Sequence, residues 1–414
     1  MRQSQLFPKT QKEAPKDETA LNAKLLARAG FVDKLMAGVY TFLPLGLRVL
    51  KKIEDIIREE MTKAGGQEIL MPALQPKENW EITGRWETMD DLYKIKDASK
   101  REFALGPTHE EVIVPLLKKI IFSYKDLPLY IFQIQNKFRM EMRAKSGLLR
   151  GREFMMKDFY SFHADEKDRD KYYEAMADVY RIIFNRVGIG QETYFTFASG
   201  GTFSIYSHEF QTVTKAGEDI IHICDKCRVA INDGIIKEQK FCPQCNASDF
   251  RKEKAVEVGN IFKLKNKFAD DFNLKFKDKS GFEQSVVMGC YGIGLGRLMG
   301  TIVEVNNDEN GLIWPEAVAP FKVHLINLAT GKKSSVEEAA ENLYKELLAK
   351  NIEVLYDDRE DISLGKKLVD ADLIGLPWRV VVSEKTGTDK IEIKKRNKKE
   401  VRLIHKKDIF KHLS

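Results

Sequence analysis

Four of the five cysteines lie close together in the chain and have the spacing of a metal site. They form two Cys-x2-Cys pairs separated by 14 residues, at Cys224, Cys227, Cys242 and Cys245, while Cys290 stands alone. Four thiolates at this spacing suit the tetrahedral coordination of a structural zinc ion and leave no open position for catalysis. We therefore expect a zinc ion that folds this segment; the alternative is a segment that carries no metal.

A second group of chemically useful side chains is cationic. Five of them fall within fourteen residues at the end of a predicted strand and in the loop that follows it: Arg139, Arg143, Lys145, Arg150 and Arg152. Their joint positive field suits a polyphosphate, because guanidinium groups bind phosphate oxygens through paired hydrogen bonds. The alternative is a solvated basic loop.

The glycine-rich stretch 289–297 ends in a further arginine, Arg297. Its spacing does not follow G-x-G-x-x-G, and the chain contains no Walker A sequence, so neither nucleotide-binding pattern applies. The glycines allow a strand and the start of a helix to pack closely, and Arg297 then projects a fixed charge. Together with the basic loop, Arg297 predicts a two-sided phosphate clamp.

The composition is that of a folded protein with two or three domains. The chain has 414 residues, of which 43% are hydrophobic and 31% are charged, and its net charge is +6. A mild positive excess permits an acidic partner without requiring one. No stretch approaches about 18 apolar residues, and the first residues lack the apolar core of a signal peptide. We expect a cytoplasmic protein that does not enter a membrane.

The hydrophobic pattern places these side chains on an α+β framework. The predicted elements of the first part are helices over Leu47–Met61 and Tyr173–Val187 and strands over Glu68–Met71, Tyr130–Arg139 and Glu153–Phe162.

After residue 320 the pattern changes to that of a separate α/β domain. Ser335 and Glu338 predict a capping box that opens a helix. Predicted strands lie over 321–325, 352–356 and 379–382, with two more near Ile391 and Val401. The stretch 390–411 has ten Lys or Arg against three acids, which is typical of either a solvated face or an RNA-binding face.

In this order the motifs resemble those of the class II aminoacyl-tRNA synthetases, and in particular the bacterial-type prolyl branch. The stretch 38–72 resembles motif 1, 138–158 resembles motif 2, and 289–297 resembles motif 3. Three stretches resemble the prolyl branch in particular: 106–111 (GPTHEE), 207–210 (SHEF) and 288–294 (MGCYGIG). The C-terminal part resembles the anticodon-binding domain in 357–359 (DDR) and 375–377 (GLP).

The resemblance implies a division of the chain. It implies an α+β catalytic domain built on an antiparallel sheet, the class II synthetase fold, over 1–220 and 254–318. A small four-cysteine, zinc-ribbon-like insert occupies 221–253, and an α/β anticodon-binding domain occupies 320–414. It further implies a homodimer formed through motif 1.

The implied activity is ATP-dependent attachment of L-proline to tRNA(Pro) in two steps, through a prolyl-adenylate, with Mg²⁺ on the phosphates. Arg139 would bridge the α-phosphate and the proline carboxylate, and Arg150 and Arg297 would hold the γ-phosphate. Glu141 would accept a hydrogen bond from the adenine amino group, with the base between the Phe154 ring and Arg297. The catalytic residues implied are Arg139 and Arg297.

For the amino acid, the resemblance implies that Glu110 pairs with the secondary ammonium of proline and that Thr108 adds a hydroxyl. His208 and Cys290 would line the pocket. Each has a plain alternative: Glu110 as a carboxylate at a helix start, His208 as a satisfied core histidine, and Cys290 as an inert core thiol.

The chain departs from this family at several points. Phe203–Tyr206 stand where relatives have a pair of glycines, Gly200–Gly201 lie upstream of that place, and Asn260 stands where a histidine is common. Glu209 and Glu257 are the candidates to hold Mg²⁺.

Only 211–288 separates the prolyl-branch stretch from motif 3, which leaves no room for the long editing domain of many relatives. We expect measurable activation of alanine and no hydrolysis of alanyl-tRNA.

Two other functions are compatible with parts of the pattern. A non-catalytic synthetase-like RNA-binding or accessory protein would be expected to lose the motif arginines, which are all present. A synthetase for another amino acid, such as threonine, would need zinc in its pocket, for which the cysteine insert is too self-contained.

Overall fold

The computed structural model describes residues 1–142, 144, 146–200, 206–329 and 334–413. Arg143 and Lys145 of the basic loop, and 203–205 of the departure from the family, therefore lie outside the described residues. The chain forms two compact units: Met1–Lys34, Thr41–Lys52 and Asn306–Ser414 make one, and Leu35–Tyr40 and Ile53–Val305 make the other. The division into three domains stays a prediction.

The helices, numbered in chain order, are α1 Leu21–Arg28, α2 Pro44–Lys63, α3 Lys77–Ile82, α4 Arg85–Thr88, α5 Glu110–Leu117, α6 Glu166–Arg186, α7 Lys267–Asp271, α8 Leu295–Val305, α9 Ser335–Ala349, α10 Leu364–Ile374 and α11 Ile409–Leu413. None of the described helices has both the length and the apolar composition to cross a membrane.

The strands are β1 Val32–Met36, β2 Val39–Phe42, β3 Gln67–Glu68, β4 Leu74–Pro76, β5 Tyr93–Lys96, β6 Glu102–Leu105, β7 Leu129–Phe138, β8 Glu153–His163, β9 Thr193–Ser199, β10 Tyr206–Val213, β11 Asp219–Cys224, β12 Val229–Asn232, β13 Arg251–Lys265, β14 Lys275–Lys277, β15 Glu283–Ser285, β16 Val287–Gly294, β17 Asn307–Asp308, β18 Gly311–Leu312, β19 Val323–Leu328, β20 Val354–Asp357, β21 Trp378–Ser383, β22 Lys390–Lys395 and β23 Arg402–His405.

The larger unit is built on a sheet of nine strands in the order β10-β9-β12-β11-β13-β16-β8-β7-β3. Neighbours pair antiparallel except β12 with β9 and β3 with β7. The predicted antiparallel platform is confirmed. β7 and β8 pair from Leu129↔Phe162 to Phe138↔Glu153, so the basic loop between them lies at one end of this hairpin.

Helix α6 covers one face of the sheet. Its buried side chains include Tyr173, Met176, Tyr180 and Ile183, which recur at the spacing of one helix face. The helix starts earlier than the pattern predicts, at the N-cap Asp165, whose side chain accepts a hydrogen bond from a backbone amide of the first turn. Because that first turn is polar, the hydrophobic pattern marks only the part of the helix that packs.

The glycines of β16 lie close to side chains of the sheet, and the predicted close packing of a strand against a helix start stays a prediction. A Cβ at Gly289 would lie 2.5 Å from the Tyr291 hydroxyl, and a Cβ at Gly292 would lie 2.8 Å from Asn260 Oδ1. Neither position has room for a side chain. Arg297 is the third residue of α8, whose first two residues, Leu295 and Gly296, are buried.

The smaller unit contains a sheet in the order β20-β19-β21-β22-β23, in which β20, β19 and β21 are parallel and the rest antiparallel. The predicted α/β unit is thus confirmed. The capping prediction is wrong by one residue: Ser334, and not Ser335, accepts from the Glu337 amide at 3.1 Å. The N-terminal amine donates to Val354 O at 2.8 Å within this unit.

Candidate active site

Three adjoining cavities of about 610, 260 and 80 Å³ lie on the sheet of the larger unit. Arg139 and Glu257 line all three, so the cavities form one continuous site. The predicted proline residues Thr108, Glu110 and Cys290 line the largest cavity. The predicted ATP residues fall on the two smaller cavities: Glu141, Arg150 and Arg297 line both, and Phe154 lines the smallest.

Arg139 lies where the three cavities meet. Its backbone amide donates to Arg152 O at 2.9 Å and so extends the β7–β8 hairpin by one residue. Its guanidinium donates to Pro107 O at 3.3 Å and lies 5.4 Å from the Phe154 ring centroid, while Nε is buried with no hydrogen-bond partner among the described residues. Burial lowers the pKa of Arg139, although a guanidinium stays charged at neutral pH. Arg139 therefore has donors left for a ligand.

Three ion pairs occupy the phosphate side of the site. Arg150 Nε lies 2.8 Å from Glu141 Oε2, and Arg150 Nη1 lies 2.6 Å from Glu218 Oε2. The hydrogen bond with Glu141 is the main reason that the pKa of Arg150 is raised. Arg297 Nη1 lies 3.3 Å from Glu257 Oε2. The two arginines predicted for the phosphates are thus held by carboxylates, which a triphosphate would have to replace.

Phe154 and Arg297 flank Gly294. A Cβ at Gly294 would lie 3.7 Å from Arg297 Cβ and 4.0 Å from Phe154 Cδ2. The predicted pair of surfaces for a base is therefore brought together, with a glycine between them where a side chain would fill the space.

The proline side centres on Glu110, the first residue of α5, which is 1% exposed. The Thr108 hydroxyl donates to Glu110 Oε2, and Cys290 Sγ lies 3.6 Å from Glu110 Oε1. Burial raises the pKa of Cys290 well above its ordinary value. The thiol is therefore neutral at pH 7 and contributes a wall of the cavity and a weak donor, and not a nucleophile.

Arg85 and Glu111 belong to this cluster and were missed from the sequence. Arg85 Nη1 lies 2.9 Å and 3.1 Å from the two Glu111 carboxylate oxygens and 3.5 Å from Glu110 Oε2. Burial raises the pKa of Glu111 to about 7, and the Arg85 charge opposes this. The available sequence evidence was the pair of adjacent glutamates at an apolar helix, because two buried carboxylates require a cation nearby.

The floor of the largest cavity is a buried polar network around Asp158, also missed from the sequence. Lys137 Nζ lies 2.6 Å from Asp158 Oδ1. Gln133 Nε2 and the Tyr160 hydroxyl both donate to Asp158 Oδ2 at 3.0 Å. The Tyr160 oxygen in turn accepts from the backbone amide of His109 at 3.1 Å. This network ties the 106–111 stretch to β7 and β8.

His208 is not among the described residues that line these cavities. Its ring stacks on Phe195 with centroids 4.5 Å apart, and Nδ1 lies 2.8 Å from the Tyr173 hydroxyl. Burial lowers the pKa of His208 to about 4, so the ring is neutral at pH 7. This is the arrangement of a satisfied core histidine, and the pocket role of His208 stays a prediction.

The candidates for Mg²⁺, Glu209 and Glu257, both line the largest cavity. Burial, with the Glu257 charge second, raises the pKa of Glu209 to about 8. Asn260, at the position where the resemblance favours histidine, donates to Glu257 Oε1 at 2.8 Å. The Glu257 charge disfavours ionisation of Glu209, and a divalent cation would stabilise both carboxylates in their charged form.

The four clustered cysteines converge in space. Their sulfur atoms all lie within 4.8 Å of one another, with Cys224 and Cys245 at 3.5 Å and Cys227 and Cys242 at 3.4 Å. A tetrahedral zinc with Zn–S bonds of about 2.3 Å would set the sulfur atoms about 3.8 Å apart. Burial acts against ionisation of Cys242, but the Cys245 and Gln244 amides lower its pKa to about 7. The residues fit a zinc ion.

Two family models match the chain. The class II tRNA synthetase core domain (G, H, P, S and T) matches residues 93–306, and the anticodon binding domain matches residues 322–414.

Curated relatives match over nearly the whole chain. A proline–tRNA ligase of Wolbachia pipientis wMel is 38% identical over 434 residues, covering 100% of both chains. A proline–tRNA ligase of Citrifermentans bemidjiense is 34% identical over 558 residues, covering 98% of this chain and 97% of the relative. Since that alignment is longer than the 414-residue chain, at least 144 of its positions have no counterpart here.

Solved structures share the fold. The Giardia lamblia prolyl-tRNA synthetase in complex with prolyl-adenylate superposes with a TM-score of 0.77 at 21% identity, covering 93% of this chain and 74% of that chain. The Cryptosporidium parvum enzyme complexed with L-proline and AMP also gives 0.77, at 18% identity, covering 95% of this chain and 74% of that chain.

Proposed function

The chain belongs to the proline–tRNA ligase family of class II aminoacyl-tRNA synthetases, and we propose from its site that it joins L-proline to tRNA(Pro) through a prolyl-adenylate formed from ATP. One observation carries this proposal. The residues implied for proline and those implied for ATP line separate, adjoining cavities, and Arg139 lines all of them. Such a junction is where a carboxylate and an α-phosphate must meet in the first step. The matches favour neither the non-catalytic alternative nor a threonine enzyme.

Activation is an in-line displacement at the α-phosphorus. A proline carboxylate oxygen forms the new P–O bond, and pyrophosphate leaves with the electron pair of the broken bond. The protein needs to supply position and charge stabilisation and no base. Arg139, with its unpartnered Nε, would hold the attacking carboxylate and the α-phosphate together and stabilise the charge on the transferring group.

Recognition of proline would rest on the charge of the Glu110 cluster. Glu110, Glu111 and Arg85 together carry one net negative charge when all are ionised, which the secondary ammonium would neutralise. The Thr108 hydroxyl and the Cys290 thiol hold the Glu110 carboxylate in place. The carboxyl group of proline would then point towards Arg139.

Binding of ATP would replace the carboxylate partners of two arginines by phosphate groups. The triphosphate would take Arg150 and Arg297 from their carboxylate partners, and the released Glu141 would be able to accept from the adenine amino group. The base would lie between Phe154 and Arg297 at Gly294. Glu209 and Glu257 would hold Mg²⁺, which when bound neutralises phosphate charge. The cysteine cluster would hold a structural zinc ion.

The second step transfers the prolyl group to a terminal hydroxyl of tRNA. The smaller unit, with the cations of 390–411, would bind the anticodon region through phosphate contacts. The gap of at least 144 positions against a longer relative supports a short form without a cis editing domain.

A homodimer through motif 1 is part of the proposal. Leu70, two residues before the motif's proline, and Leu35, just before the motif, are each 75% exposed, and a partner chain would cover them. Sedimentation velocity would check the dimer. We place the enzyme in the cytoplasm, where its substrates are.

The testing experiment is amino-acid-dependent exchange between ATP and pyrophosphate, run with each amino acid, followed by aminoacylation of tRNA(Pro). Exchange with proline, with weaker exchange for alanine, is the expected result. Wild-type protein that shows no exchange with proline, or shows it with threonine instead, would overturn the proposal.

A further inference from the structure

The strands that carry the first cysteine pair are part of the catalytic sheet. β11 pairs antiparallel with β13, and β12 pairs in parallel with β9. One end of this β11–β12 hairpin carries Cys224, and the other end carries Asp219 and Asn232. At about 3.3 Å per residue, the six-residue β11 spans roughly 17 Å between these ends. The hairpin therefore connects the four-cysteine cluster at one end to the contacts of Asp219 and Asn232 at the other end, its base.

At its base the hairpin contacts a carboxylate of the active site. Asn232 Nδ2 donates to Glu209 Oε2 at 3.4 Å. The fully buried Gln211 places Nε2 2.9 Å from both Glu209 Oε2 and Asp219 Oδ2. Glu209 lies on β10 and lines the largest cavity. Asn232 of the hairpin thus contacts this carboxylate directly, and Asp219 reaches it through Gln211 of β10.

A second contact runs from the hairpin base to the phosphate side. Glu218, the residue before β11, accepts from Arg150 Nη1 at 2.6 Å and from the Ser146 hydroxyl at 2.8 Å. Glu218 and Asp219 both line the 260 Å³ cavity. The base of the hairpin therefore contacts both Arg150, proposed to bind phosphate, and Glu209, proposed to bind Mg²⁺.

The proline side has other supports. Glu110 opens α5, Thr108 lies two residues before it, and Cys290 lies on β16. Their side chains form hydrogen bonds with one another and an ion pair with Arg85. Within the described ranges, no hydrogen bond or ion pair joins the hairpin base to these three residues. Glu209 shares the largest cavity with these residues but is proposed to hold Mg²⁺ and not proline. A change at the hairpin base should therefore affect binding of ATP with Mg²⁺ more than binding of proline.

We propose that the β11–β12 hairpin positions the ATP half of the active site, with Asn232 orienting Glu209 and Glu218 orienting Arg150, and that the metal cluster acts by fixing the far end of this hairpin. This inference rests on the proposed function. Asn232 and Glu218 are positioning residues and do not themselves react.

The test separates the KM for ATP from the KM for proline in the exchange assay. In Asn232→Ala and in Glu218→Gln the KM for ATP and the Mg²⁺ concentration needed should each rise about tenfold, as for other residues that orient ligands. The KM for proline should stay within about twofold. Asp233→Asn is the matched control, because Asp233 follows Asn232 but pairs with His222 at 2.8 Å, and its values should equal those of the wild type.

The role of the cluster is tested by Cys245→Ser, with zinc measured by elemental analysis and ATP binding by calorimetry in the absence of proline. We expect loss of zinc, weakening of ATP binding by about tenfold, and no further weakening when Asn232→Ala is added. Circular dichroism would check that each variant is folded, and the Asn232 and Glu218 variants test the role of the hairpin independently of the cysteine variant.

The outcomes are distinguishable. A wild-type protein without proline-dependent exchange counts against the proposed function. Wild-type exchange with an unchanged KM for ATP in both hairpin variants, or with ATP and proline KM values rising together, overturns the role of the hairpin. ATP affinity that survives the loss of zinc overturns the coupling to the cluster.

Discussion

Replacing Glu110 by glutamine removes the net charge that the proposed proline pocket offers to an ammonium group. Arg85 Nη1 lies 3.5 Å from Glu110 and 2.9 Å from Glu111. In Glu110→Gln the remaining Arg85–Glu111 pair is neutral, so the pocket has no charge left for proline. The amide has the shape of the carboxylate and can still accept from the Thr108 hydroxyl, so we expect the fold to be retained.

The size of the effect follows from the burial of Glu110, which is 1% exposed. Truncating one partner of a buried, hydrogen-bonded charge pair costs about 2–5 kcal/mol, and about 1.4 kcal/mol corresponds to a factor of ten. The KM for proline should therefore rise between about 30-fold and a few thousandfold. The KM for ATP should change less than about threefold, because Glu110 does not line the two smaller cavities.

The assay is proline-dependent exchange of ATP and pyrophosphate, with each substrate varied in turn. The control is Glu87→Gln, an exposed carboxylate on the same short helix as Arg85, 3.8 Å from Lys94, which should leave both KM values unchanged. If Glu110→Gln kept a proline KM within about threefold of the wild type at normal kcat, the ammonium would bind elsewhere and the charge argument would be refuted.

Three further predictions follow from the site and the core. Arg139→Ala should abolish exchange, a loss of at least about a hundredfold, because it removes the donors at the cavity junction; near-normal exchange would contradict the assignment. Cys242→Ser should release zinc, as seen by elemental analysis, and leave the C-terminal unit folded by circular dichroism; fresh wild-type protein without zinc would exclude the metal site. Burial lowers the pKa of His324 to about 4. Since the unfolded chain binds a proton there below about pH 6.5, His324 alone should lower the free energy of unfolding between pH 6.5 and 4 by at most about 3.4 kcal/mol. Urea unfolding should show a smaller fall in His324→Gln, and an equal fall would disprove the attribution.

The elements that carry the site could be predicted because their patterns are local. The sequence predicted β7 over Tyr130–Arg139 and β8 over Glu153–Phe162. Three of these four ends are off by one residue, and the fourth, Glu153, is correct. The buried face of α6 was predicted from the spacing of its apolar residues. The strand expected at Glu68–Met71 is shorter, ending at Glu68, since an apolar run does not show whether a pairing partner continues beside it.

The partners of the site residues could not be predicted. Arg85 contacts Glu110 and Glu111 from α4. This helix has only four residues, too few for a hydrophobic pattern that would show which side of it faces the site. Lys137 and Asp158 face one another across two strands, which depends on the register of the pairing. Glu218, just before the predicted insert, contacts Arg150 only because β11 joins the sheet.

The amino-acid sequence alone was sufficient for the family, the antiparallel sheet, the C-terminal α/β unit and the grouping of four cysteines. These depend on residue type, spacing along the chain and order of motifs. The tertiary structure alone decided which charges neutralise one another: Glu111 with Arg85, Glu141 with Arg150, and Glu257 with Arg297. The reason is physical, because electrostatic interaction depends on distance and burial in the folded protein, and neither can be calculated from separation along the chain.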